Sequence, residues 1–147
     1  MAIEYDFLVI GTGIAGLSFA LKVAEKGKVA VISKTVIDET NTVYAQGGIA
    51  AVIYKPDSFD KHVNDTLVAG NYLNDKKIVE LVVKEAPERI NELIRWGSRF
   101  DKTSEGYYDL AREGGHMQHR ILHHKDNTGE EIQRALVNKV RRNKNID

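Results

Sequence analysis

The segment Tyr5-Asp6-Phe7-Leu8-Val9-Ile10-Gly11-Thr12-Gly13-Ile14-Ala15-Gly16 changes its hydrophobic period at Gly11. Before that glycine, Phe7 to Ile10 form a short apolar run that reads as a strand buried on both faces of a parallel sheet. After it, Ile14, Leu17, Ala20, Leu21 and Ala24 recur at helical spacing, and Gly27 supplies the helix end. Val29-Ala30-Val31-Ile32 is a second apolar run of strand length. Residues 5–33 therefore make one strand–helix–strand unit, whose connection suits a parallel pair with a right-handed crossover. The fold class implied is α/β: a Rossmann-like βαβ domain with a parallel sheet, followed by helices.

Outward from this unit the pattern is less regular. Residues 34–49 are polar and aperiodic, a length of loop that is usually functional or disordered. Ile49 to Tyr54 reads as a short strand ended by Pro56. Ser58 is placed to cap a helix through Ala69, with His62, Val63, Leu67 and Val68 facing inward. Asp75 caps a further helix in which Ile78, Leu81, Val82 and Glu85 form the stripe, broken or kinked at Pro87. Ile90, Leu93, Ile94 and Trp96 resume it as core positions until Gly97. Residues 98–125 read as irregular, and Asp126–Thr128 opens a last helix with Ile132, Leu136, Val137 and Val140 inside. The final residues, Ile146-Asp147, read as the start of another strand. Two clear parallel strands are few for this class, so the chain is expected to be part of a longer domain.

Composition narrows the function. The 147 residues are 42% hydrophobic and 29% charged, which excludes a disordered tail. Lys plus Arg and Asp plus Glu balance at 21 each, so no basic field is available for nucleic acid or an anionic membrane. With no cysteine, disulfides and thiolate metal sites are excluded. No apolar run approaches a membrane span, and Met1–Asp6 carries acids where an export signal would carry Lys or Arg. A cytoplasmic protein is expected.

Gly11-Thr12-Gly13-Ile14-Ala15-Gly16 is G-x-G-x-x-G between a strand and a helix. The first glycine permits the tight turn, the second lets a pyrophosphate approach, and the third brings the helix close to the strand. The pyrophosphate would sit at the positive end of the helix, on its unpaired N–H groups. The acid expected about 20 residues on, for the adenosine ribose, is absent from Ile32-Ser33-Lys34. Either Asp38 or Glu39 reaches back from the loop, or Ser33 and Lys34 make the contacts themselves. Asn41-Thr42-Val43-Tyr44-Ala45-Gln46-Gly47-Gly48 is a second candidate segment. Its paired glycines admit a flat ring, and Gln46 can both donate to and accept from ring heteroatoms.

Placed after such a glycine unit, that loop resembles the flavin-contacting segment of the succinate dehydrogenase, fumarate reductase and L-aspartate oxidase flavoproteins. Leu110-Ala111-Arg112-Glu113-Gly114-Gly115-His116, Arg120-Ile121-Leu122-His123 and Asp126-Asn127-Thr128-Gly129 are similar to the matching stretches of the aspartate oxidase branch. The resemblance implies FAD as cofactor and residues 1–147 as the N-terminal portion of an FAD-binding domain. Where the dehydrogenases and reductases link FAD covalently through a histidine before Thr-x-x-Ala, this chain has Asn41, so it implies non-covalent FAD. It also assigns Glu113 to orienting an amino-acid substrate, since a carboxylate is the natural acceptor for an α-ammonium. The implied reaction is oxidation of L-aspartate to iminoaspartate, with oxygen or fumarate as electron acceptor. Its product would pass to quinolinate synthase for NAD synthesis. The resemblance puts the proton-transferring arginine and most of the substrate clamp beyond residue 147, and the chain alone is expected to be inactive. A reductase or dehydrogenase flavoprotein, or a non-catalytic nucleotide-binding module, are the alternatives. His116, His119, His123 and His124 complete no metal motif and read as loop residues near an anionic substrate.

Overall fold

The computed structural model describes residues 4–147, so Met1–Ile3, part of the stretch read above for an export signal, lie outside it. The expected βαβ unit is present. Strand β1 (Phe7–Ile10) pairs in parallel with β2 (Val29–Ile32), in the register Phe7↔Val29 to Ile10↔Ile32. Helix α1 (Ile14–Val23) makes the crossover. The chain's end returns to this sheet: Ile146 bridges Val29 in parallel, with Val29 N–H donating to Asn145 O at 2.7 Å.

One face of the sheet is covered and the other is not. Val9, Leu17, Leu21 and Val29 pack with Leu136 and Val140 of the last helix, α4 (Thr128–Arg141), into the main core. Leu8, Ile10 and Ile32 point the other way and are 61%, 79% and 48% exposed. The expectation of strands buried on both faces is therefore corrected. Side chains alternate along a strand, and α1 with α4 covers only the Val9 and Val29 side.

A second, smaller sheet was not expected. Strands β3 (Ile49–Ala50), β4 (Leu110–Ala111) and β5 (Ile121–Leu122) pair antiparallel in the order β3-β5-β4. Two-residue strands leave no alternation to read, which is why residues 98–125 look irregular and why the strand expected over 49–54 is only its first two residues. Between β3 and β4 the chain forms α2 (Phe59–Ala69) and α3 (Lys76–Arg95). Ser58 Oγ accepts from Lys61 N, and Asp75 Oδ1 from Lys77 N and Ile78 N, as the capping residues predict. Val68, expected inside, is 53% exposed.

Helix α3 departs from expectation twice. It runs through Pro87 without a break, its two halves each anchored by a buried side chain, Val83 before the proline and Ile90 after it. Its inward stripe is Val79, Val83, Ile90 and Leu93, whereas Ile78, Leu81 and Val82 are exposed. In the first half Ile78, Val79, Leu81, Val82 and Val83 spread over more than half of the helix circumference, so the period is ambiguous and contact with Val63 of α2 selects the face. The helix stops at Gly97 (φ +107°), with Ser98 N–H donating to Leu93 O and Gly97 N–H to Ile94 O, the paired bonds of a Schellman end.

Candidate functional site

The glycine turn has the geometry its spacing requires. Gly11 sits at φ +106°, where a Cβ would be strained. A Cβ on Gly16 would overlap the Gly11 carbonyl oxygen, so only glycine lets α1 approach β1 this closely. At Gly13 a Cβ would come 3.3 Å from Thr42 Oγ1. That hydroxyl accepts from Ile14 N at 3.0 Å, so a residue of the second candidate segment caps the helix of the first. The first-turn amides of Ala15 and Gly16 are then the ones left to face an anion.

Beside this turn lies a groove of about 460 Å³, lined by Gly11, Thr12, Ile32, Ser33, Lys34 and Glu39 among others. Ser33, Lys34 and a loop acid thus come together, and the acid is Glu39. Asp38 faces a different recess, beside Val43 and Gln133. Tyr44 Oη donates to both Glu39 carboxylate oxygens at 2.8 and 2.9 Å, a bond that raises the phenol's pKa. Gln133, which sequence reading missed, is fully buried. Its Nε2 donates to Thr12 O at 2.9 Å and Ile37 O at 3.0 Å, tying the glycine turn to the loop after β2.

The segment 41–48 wraps the start of α4. Gly129 N donates to Ala45 O at 2.9 Å, and a Cβ on Gly129 would overlap Thr42 O. A Cβ on Gly48 would overlap the backbone of Leu122 in β5. Asn41, Tyr44, Ala45, Gln46 and Gly47 remain exposed while Thr42 and Val43 are half-buried, leaving an anchored loop with an open outer surface. Glu113 is exposed and its carboxylate lies 3.6 Å from where a Cβ of Gly47 would stand. It forms no salt bridge with Arg112 among the described residues. Two segments far apart in sequence thereby meet, an exposed carboxylate standing beside a bare glycine backbone.

Behind the Glu113 loop sits a buried charge cluster absent from the sequence reading. Arg120 is completely buried. Its Nε and Nη2 donate to Asp57 at 2.8 and 2.7 Å, and its Nη1 to Asp65 Oδ2 at 2.8 Å. Burial works against the guanidinium charge, but the bonds to both carboxylates outweigh it and raise its pKa. Nη1 also lies 3.2 Å from His116 Nδ1, which must accept because arginine has no acceptor. Buried His62 adjoins the cluster, its ring 5.7 Å from that of His116. Burial, then the Arg120 charge, lowers its pKa from 6.5 to about 4. His123 and His124 instead flank Asp101, at 3.4 and 3.3 Å. In sequence Arg120 and His116 stand in stretches separate from that of Asp57, His62 and Asp65, and nothing there joins them.

The model of the FAD binding domain family matches residues 6–147. The chain is similar to the protein named L-aspartate oxidase 2-b, chloroplastic, of Nicotiana tabacum, with 55% identity over 97% of this chain and 22% of that protein. It is also similar to the L-aspartate oxidase of Yersinia pestis, at 49% over 96% of this chain and 27% of that protein. Among solved structures, the Sdh1 complex of Mycobacterium smegmatis matches with a TM-score of 0.86 and 36% identity, over 97% of this chain and 27% of that one. A variant of the E. coli quinol fumarate reductase matches at 0.90 and 30%, over 99% and 25%. The chain spans about a quarter of the length of these relatives.

Proposed function

The chain belongs to the FAD binding domain family, and from that premise we propose that it forms the FAD-holding portion of an L-aspartate oxidase. The reaction is oxidation of L-aspartate to iminoaspartate, with oxygen or fumarate taking the electrons and the imine passing to quinolinate synthase for NAD biosynthesis. The observation that carries the reading is the Glu113 carboxylate lying against Gly47 of the Asn41–Gly48 loop.

The residues present fit the cofactor. Gly11, Thr12, Gly13, Ile14, Ala15 and Gly16 make a turn in which a side chain at Gly16 has no room, and the α1 N-terminus offers amides to the pyrophosphate. Ser33, Lys34 and Glu39 line the adjoining groove and suit the ribose and phosphate of the adenosine half. Asn41, Thr42, Val43, Tyr44, Ala45, Gln46, Gly47 and Gly48 suit the ring half, and an amide at position 41 leaves it without a covalent link. When bound, FAD supplies the acceptor for the hydride leaving the substrate's α-carbon. Glu113 accepts hydrogen bonds from the substrate ammonium and turns the α-carbon toward the loop. A succinate or fumarate molecule offers it no cation.

The test is Glu113→Gln in the full-length enzyme. Losing a charged acceptor costs about 1.5–3 kcal/mol, or roughly ten- to over a hundredfold in kcat/KM for aspartate. Fumarate reduction should change little. Equal losses on both substrates would show that Glu113 holds the loop rather than the ammonium. Wild-type enzyme that oxidises succinate and ignores aspartate would move the assignment to the dehydrogenase branch.

A further inference from the structure

Arg120 stands where three parts of the site join. Its backbone N–H donates to Ala111 O at 3.1 Å in β4, the strand that leads into Glu113. Its carbonyl accepts from Ala51 N at 2.9 Å, at the end of β3, the strand that follows Gly47-Gly48. Its guanidinium reaches the other way, to Asp57 before α2 and Asp65 within it. The loop between β4 and β5 is fastened to the same helix twice more. Met117 N donates to Asp65 Oδ2 at 2.9 Å, and Gly115, at φ +85°, passes so close to Ala69 that a Cβ would stand 3.3 Å from it.

We propose that Arg120, clamped by Asp57 and Asp65, is a positioning residue that sets Glu113 against the flavin loop, and so sets the preference for an amino-acid substrate. This rests on the reading of Glu113 above. The fork geometry argues for it. Two guanidinium nitrogens grip Asp57 and the third serves both Asp65 and His116, an arrangement a lysine ammonium cannot reproduce. A buried ion pair is weak evidence for stability, because desolvation consumes most of the attraction, and is better explained by the geometry it imposes. Here the guanidinium fixes the start of β5 against α2, the helix that also holds the β4–β5 loop through Met117, while the backbone of the same residue carries the Glu113 strand and the Gly47 strand.

The experiment is a double-mutant cycle in the full-length, FAD-loaded enzyme, with Arg120→Lys, Glu113→Gln and both together. Arg120→Lys should raise the aspartate KM about tenfold while moving that of fumarate less than about twofold. In the Glu113→Gln background it should add less than about twofold, because there is no longer a carboxylate to misplace. FAD affinity, read by quenching of flavin fluorescence, should hold within about twofold, and amide exchange over residues 113–117 should quicken while residues 7–32 stay protected. Equal losses in both backgrounds, an unmoved aspartate KM, or unchanged exchange over 113–117 would overturn the proposal. If Arg120→Lys yields no folded enzyme, Asp57→Asn takes its place in the same cycle with the same outcomes. Should the wild type show no aspartate-dependent flavin reduction, the function assignment fails, while the exchange comparison still judges the clamp.

Discussion

Lowering the pH should cost this chain stability before its carboxylates titrate, and His62 is the reason. Its side chain is only 6% exposed, and burial, Arg120 and His116 all oppose its protonation more strongly than Asp57 and Asp65 favour it. The imidazole therefore takes its proton at about 4 in the folded chain, against 6.5 for an unperturbed histidine. Between those values the unfolded state binds more protons, so stability rises with pH across the window. It is complete above 6.5 and lost as the pH falls to about 4. At about 1.36 kcal/mol per unit the whole shift amounts to roughly 3 kcal/mol, a large part of a small domain's stability. His62→Gln keeps a polar side chain without the titration. Urea unfolding at pH 7 and pH 4.5 should show the wild type losing about 2–3 kcal/mol more than the variant across this interval. The imidazole's proton resonance should titrate with a midpoint near 4. Equal losses in the two chains, or a midpoint at 6.5, would refute the reasoning.

Gly13→Val should abolish FAD binding, because the new side chain would press on Thr42 Oγ1 at 3.3 Å and cover the helix amides meant for the pyrophosphate; full flavin occupancy after purification would count against it. Gly129→Ala should lower stability by about 1–3 kcal/mol, the usual cost of overpacking, and loosen FAD as well, since a Cβ there overlaps Thr42 O and must push the Asn41–Gly48 loop. Thermal melts with and without FAD would measure both effects. Flavin should leave the denatured protein freely, since Asn41 stands where the resemblance to the dehydrogenase and reductase flavoproteins implies a linking histidine, and fluorescence that persists on a denaturing gel would contradict this.

The strand–turn–helix at Phe7–Val23 and the partner strand Val29–Ile32 were legible in sequence because local chemistry dictates them. A positive φ at Gly11, a close approach at Gly16 and a 3.6-residue apolar period need no distant partner to be recognised. The caps at Ser58 and Asp75 and the inner face of α4 were legible for the same reason. Tertiary structure alone chose which face of α3 turned inward, since Ile78, Val79, Leu81, Val82 and Val83 satisfy more than one stripe until Val63 is set against them. It also made the second sheet, whose two-residue strands carry no period of their own. The site divides in the same way. The glycine turn and the Asn41–Gly48 loop are each continuous in sequence. The approach of Glu113 to Gly47, the Thr42 cap on α1 and the grip of Asp57 and Asp65 on Arg120 join residues 28 to 66 positions apart. No local propensity encodes such meetings, and only the packed chain brings the partners within reach.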